Sequence, residues 1–173
     1  NTLAKLQTFL EAQTPEFHDY IQKVMGITRV MADMFTSKGI PIVSGGTENH
    51  VFCLDLSDFP INGKELAEIL ESIGIITNAN AIPNDTSFIK PHGLRIGGAP
   101  IASRGLSVDD CYTIAQGIAN YLVAIRNEET RHADSILSVL QDFVKECIKE
   151  HPLKDLYPKR YSKLFNNLCN LTF

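Results

Sequence analysis

The sequence predicts an α/β fold in which helices pack on a small, mostly antiparallel sheet. Two observations carry that prediction. Apolar residues recur at helical spacing through both ends of the chain, and the middle breaks into short β-rich runs bounded by glycine and proline. The order along the chain is helix–helix–β–β–α–β–β–α–α.

Leu3, Leu6, Phe9 and Leu10 form an apolar stripe that predicts a helix over residues 2–12. Thr14-Pro15-Glu16 restarts a helix, with Thr as cap, Pro at the first helical position and an acid in the first turn. Phe17, Ile21, Val24, Met31 and Phe35 extend that helix to Lys38-Gly39, where glycine stops it. The methionines Met25, Met31 and Met34 are read as core. Residues 40–43 and 50–56 then read as two strands around the turn Ser44-Gly45-Gly46-Thr47-Glu48-Asn49. A helix opens at Gly63-Lys64-Glu65-Leu66 and ends at Gly74, presenting Leu66, Ile69, Leu70 and Ile73 on one face. Residues 75–82 and 94–96 are two further strands, separated by a polar loop. Ser107-Val108-Asp109-Asp110 is a capping signature that introduces a helix through Cys111, Ile114, Ile118, Leu122 and Ile125. A last helix carries Ile136, Leu140, Phe143 and Cys147. The segment 151–173 mixes basic and aromatic residues and reads as weakly helical after Pro158.

The chain has 173 residues, enough for one domain with a core of its own. Its net charge of −4 and scattered basic residues argue against a nucleic-acid partner. No run is long and apolar enough to suggest a membrane partner. Four widely spaced cysteines, without a CxxC pair, read as reduced thiols and point to a cytoplasmic location. Opening on Asn1 inside a helical pattern, without Met or a cleavable signal, the chain reads as a fragment.

Five histidines show no ligand spacing, so no metal site is expected. No serine or cysteine nucleophile arrangement is visible. Ser44-Gly45-Gly46-Thr47 lacks a phosphate-loop pattern and leads into a strand, so it reads as a turn. Arg95 is the sharpest feature, a charge inside a short apolar run flanked by Gly93 and Gly97. A rigid guanidinium there suits bidentate capture of a carboxylate. The same residue types also fit a strand arginine turned to solvent or paired with a nearby acid.

Several segments together resemble the serine hydroxymethyltransferase family. Val43 to His50 resembles its VSGGTDNH segment, with Glu48 in place of Asp, and Thr77 to Asp85 is close to its TVNKNxxPND. Gly93-Leu94-Arg95-Ile96-Gly97 with Ser103-Arg104-Gly105 resembles GIRIGTPAxTxRG, and Thr14-Pro15-Glu16-Phe17 resembles the family's TPEF. The resemblance covers about residues 1–150. It implies the C-terminal small domain of a fold-type I pyridoxal-phosphate enzyme, with residues 1–38 a helical lead-in from a large domain. Residues 39–150 would form the C-terminal α/β domain, and 151–173 an extension.

The family interconverts serine plus tetrahydrofolate with glycine plus methylenetetrahydrofolate, using pyridoxal phosphate as electron sink. By that resemblance Arg95 grips the carboxylate of serine or glycine, and Asn80 hydrogen-bonds the folate ring. Ser87 and Phe88 lie where the family has a folate-contacting SPF turn. The proline of that turn is absent, and Gly97-Gly98-Ala99-Pro100 stands in place of GTPA. No lysine lies in the context of the family's THK segment, which holds the cofactor, so no catalytic residue is assigned and the chain alone is expected inactive. The implied partners are serine or glycine, folate, the enzyme's own large domain and a second subunit. A standalone carboxylate-binding module and the small domain of an aminotransferase are the competing readings; the Ser-Gly-Gly-Thr and Asn-x-Asn segments disfavour the latter.

Overall fold

A computed structural model of the protein describes residues 2–83, 85–86 and 89–152. The elements run α1 (Thr2–Glu11), α2 (Pro15–Ser37), β1 (Val51–Asp55), α3 (Gly63–Ser72), β2 (Asn78–Asn80), β3 (Gly93–Gly97), α4 (Ala99–Arg104), α5 (Val108–Arg126) and α6 (Thr130–Glu150). The sheet is three-stranded and antiparallel in the order β1-β3-β2, as the α/β reading expects.

The helix starts obey local capping chemistry. The Thr14 hydroxyl accepts from the Phe17 N–H at 3.2 Å, and Pro15 sits in the first turn of α2. Asn62 with Glu65 and Ser107 with Asp110 each form a reciprocal capping box, opening α3 and α5. Strand alternation then divides the sheet into two unlike faces. Phe52, Leu54, Leu94 and Ile96 are buried on one face. They share a core with Val24, Ile27, Met31 and Phe35 of α2, Leu66 and Leu70 of α3, and Ile118 and Leu122 of α5. Helices therefore cover the apolar face, and the strand positions between these residues are left for polar groups.

Three local expectations change. Residues 40–43 contribute only an isolated bridge, Ile42 to Leu54, and not a strand. Pro41 has no N–H for a ladder, and the chain turns at once, Gly45 N–H donating to the Ile42 carbonyl at 2.8 Å. The strand expected over 75–82 shortens to Asn78–Asn80, because the Ile82 N–H bonds the Asp85 carboxylate and not a neighbouring strand. The short helix α4 adds an element to the expected order; Pro100 stands in its first turn. The apolar stripe of α1 buries none of its residues, whereas α2 buries seven.

Candidate functional site

The uncovered face of the sheet gathers the polar residues. Arg95 lies in the central strand β3, with Cys53 of β1 as its partner on one side and Asn78 of β2 on the other. Cross-strand partners present their side chains on the same face. The Arg95 Nη2 donates to Asn78 Oδ1 at 3.2 Å. Two residues along β2, Asn80 pairs with Gly93, which places it on this face as well. The Asn80 Oδ1 is buried without a hydrogen-bond partner among the described residues.

Glycine at position 93 is a requirement of space. A Cβ there would collide with the Asn80 carbonyl and come within 2.5 Å of Ile82 Cγ2 and 2.9 Å of Cys53 Sγ. The strands approach closely because this side chain is absent, and the area beside the guanidinium stays open.

Arg95 is exposed and takes part in none of the ion pairs formed among the described residues. An exposed strand arginine needs no acidic partner, so the absence of an ion pair leaves its guanidinium open to an anion from solution. This one is held by a neutral amide, so its charge is oriented without being cancelled. Burial pushes the Cys53 thiol up, Asp55 adds to the effect and Arg95 opposes it. The thiol beside the arginine is thereby held toward its neutral form.

A second polar cluster fixes the loop after β2. Asp85, with only 4% of its side chain exposed, accepts from His92 Nδ1 at 2.6 Å, Ile82 N–H at 2.9 Å and His92 N–H at 3.1 Å. The hydrogen bond from the His92 ring is the main cause holding its carboxyl below the ordinary value, followed by the Ile82 N–H. Asp85 ties the end of the Asn78–Asn80 strand to the start of β3. The segment from Ser44 to His50 is spent on its own conformation: Ser44 Oγ donates to the Gly46 carbonyl at 2.6 Å and Thr47 Oγ1 to the Val51 carbonyl at 2.7 Å. It is a turn, as its composition predicts.

The structure brings Arg95 and Asn80 onto one face. Ser87 and Phe88 lie outside the described residues. Sequence reasoning overlooked Asn78 as a partner of Arg95; its spacing of two from Asn80 was the available signal. A cavity of about 430 Å³ opens elsewhere, lined by Ile75, Ile96, Ile101, Leu106, Ile114 and Ile148 among others. Arg95 does not line it. No group of three potential metal ligands occurs among the described residues, and no helix among them is long and apolar enough to cross a membrane. The arrangement can bind an anion through an oriented guanidinium, with amides alongside to donate and accept.

Comparison with known proteins supplies a context. The family model for serine hydroxymethyltransferase matches residues 2–118. Over 160 residues the chain is 35% identical to the mitochondrial serine hydroxymethyltransferase of Candida glabrata, covering 90% of this chain and 33% of that protein. It is 42% identical over 141 residues to the serine hydroxymethyltransferase of Borrelia duttonii, covering 81% and 32%. With that of Levilactobacillus brevis it shares 37% over 154 residues, covering 88% and 36%. The chain spans about a third of the length of these curated relatives.

Proposed function

The chain belongs to the serine hydroxymethyltransferase family, and from that premise we propose that it works as the C-terminal part of such an enzyme, binding the carboxylate of serine or glycine through Arg95. The observation that carries this reading is the uncancelled charge of Arg95, oriented by Asn78 and paired with no acid among the described residues. A planar guanidinium presents parallel N–H groups that match a carboxylate.

Asn80 offers an amide to the folate ring from the sheet face that carries Arg95. Ser87 and Phe88 join it by resemblance alone. Pyridoxal phosphate supplies the electron sink when bound. The strands that build the polar face, Val51–Asp55, Asn78–Asn80 and Gly93–Gly97, contain no lysine. This face therefore fits the amino acid's carboxylate and not the cofactor's aldehyde, which we assign to a large domain supplied by the rest of the enzyme. Residues 1–38 lead from that domain and 39–150 form the C-terminal domain; a second subunit completes the enzyme. A cytoplasmic location is part of the proposal, supported by the free thiols of Cys53, Cys111 and Cys147.

The division of labour has a direct test. Treated with pyridoxal phosphate and borohydride, the purified chain should yield no lysine modified in preference to the others by peptide mass spectrometry. A single lysine trapped stoichiometrically would overturn the assignment of cofactor binding to the remainder of the enzyme.

A further inference from the structure

We infer that Asn78 is a positioning residue for Arg95, orienting the guanidinium through a neutral acceptor so that its full charge remains available to an incoming anion. The inference rests on the carboxylate role proposed above for Arg95.

Three features of the sheet support it. Asn78 and Arg95 are direct antiparallel partners, which sets their side chains together on one face, and Asn78 Oδ1 accepts from Arg95 Nη2 at 3.2 Å. The short strand that carries Asn78 is held along its length and just beyond its end. Its ladder to β3 runs through Asn80, and Asp85 then captures the Ile82 and His92 N–H groups. On the other flank the partner is Cys53, a thiol kept neutral by burial, which cannot orient a guanidinium by charge. Asn78 is thus the sole hydrogen-bond acceptor for the Arg95 side chain among the described residues.

The choice of an amide has a chemical consequence. A carboxylate at position 78 would hold the guanidinium at least as firmly, yet would compete with the substrate for its charge. An alanine would leave the charge intact and let the long side chain sample many rotamers, all but one of which must be given up on binding. Only a neutral acceptor both orients and leaves the charge free. Asparagine and aspartate have the same shape, so exchanging them separates geometry from charge.

The test compares Asn78→Ala and Asn78→Asp with the parent. In the 173-residue chain, the NMR order parameter of the Arg95 Nε–Hε group should be high in the parent, high in Asn78→Asp and low in Asn78→Ala. In the complete enzyme, glycine should bind about tenfold more weakly to Asn78→Ala, with kcat at saturating serine little changed. For Asn78→Asp, glycine binding should weaken further still, despite the ordered guanidinium. A residue needed only for folding would instead give parallel losses of stability in both variants, with binding and order following stability. An Arg95 order parameter unaffected by Asn78→Ala, or parental glycine affinity in Asn78→Asp, would overturn the inference. Parental glycine affinity in Arg95→Ala is the distinct result that overturns the carboxylate reading itself.

Discussion

Gly98, which caps α4, lies hard against α2, and substituting it tests the packing that supports β3. Its backbone, at φ −81° and ψ −19°, suits any residue, so glycine is there for space and not for conformation. A Cβ would lie 2.8 Å from the Val24 carbonyl oxygen and collide with Thr28 Oγ1. Neither neighbour can give way easily. Val24 O belongs to the α2 backbone, and Thr28 Oγ1, fully buried, donates to that oxygen at 2.7 Å. Overpacking of this kind costs about 1–3 kcal/mol. Reduced freedom of the unfolded chain offsets about 0.4–1 kcal/mol of it. Gly98→Ala should therefore lose about 1–2 kcal/mol, lowering the urea midpoint by roughly 0.5–1 M for a slope of about 2 kcal/mol/M. Removing the hydroxyl with Thr28→Ala relieves one of the two contacts. In that background the cost of Gly98→Ala should shrink by about 1 kcal/mol, a coupling read from a double-mutant cycle. Circular dichroism during urea titration of the four proteins measures this. Parental or higher stability of Gly98→Ala would refute the reasoning.

Other consequences are equally open to measurement. The Asp85 carboxyl titrates below its ordinary value. Its contribution to stability is therefore complete above the unfolded-state value of about 3.9 and is lost as pH falls through the lower folded value. Acid unfolding of Asp85→Asn should show a flatter dependence on pH in that range, checked by urea midpoints from about pH 5 downward. Burial, with Asp110 beside it, pushes the Cys111 thiol up to about 12. In the native chain at about pH 8, iodoacetamide should modify the half-buried Cys53 well before Cys111, as peptide mass spectrometry resolves; Cys111 modified first would contradict the burial. Leu122 is fully buried in α5, and Leu122→Ala should cost about 2–5 kcal/mol in urea unfolding. Phe9 on α1 is 64% exposed, so Phe9→Ser should change stability by less than about 0.5 kcal/mol.

What the residues alone disclosed, and what they did not, divides along the reach of the interactions. The starts of α2 and α5 were legible because Thr14, and Ser107 with Asp110, act on N–H groups two or three residues away, whereas the Asn62–Glu65 box that opens α3 went unread although the helix itself was placed. The small antiparallel sheet was legible from short apolar runs. Strand lengths were not. The strand through Asn78 stops where it does because a carboxylate three residues beyond Ile82 takes that residue's N–H, and Ile42 makes only one bridge because proline precedes it and a glycine turn follows. The same limit applies to the site. Arg95 stood out as a charge in an apolar run, but its choice between solvent, an acid and a ligand depended on its cross-strand neighbours. Register puts Asn78 and Cys53 beside it, and register is a property of pairing between segments distant in sequence. Asn80 joined the same face for that reason. The close approach at Gly93, which only a side chain of hydrogen permits, likewise emerges once β2, β3 and Cys53 are assembled.

On the proposed reading the Arg95 guanidinium, oriented by Asn78, receives the carboxylate of the amino-acid substrate. Glycine binding to the complete enzyme, measured for the parent, Arg95→Lys and Arg95→Ala, tests it most directly. Loss of a bidentate, charge-assisted pair costs about 2–4 kcal/mol, so Arg95→Ala should weaken glycine binding on the order of a hundredfold or more. Arg95→Lys, which keeps the charge and loses the fork, should fall between the two. Glycine affinity in Arg95→Ala equal to that of the parent would contradict the account.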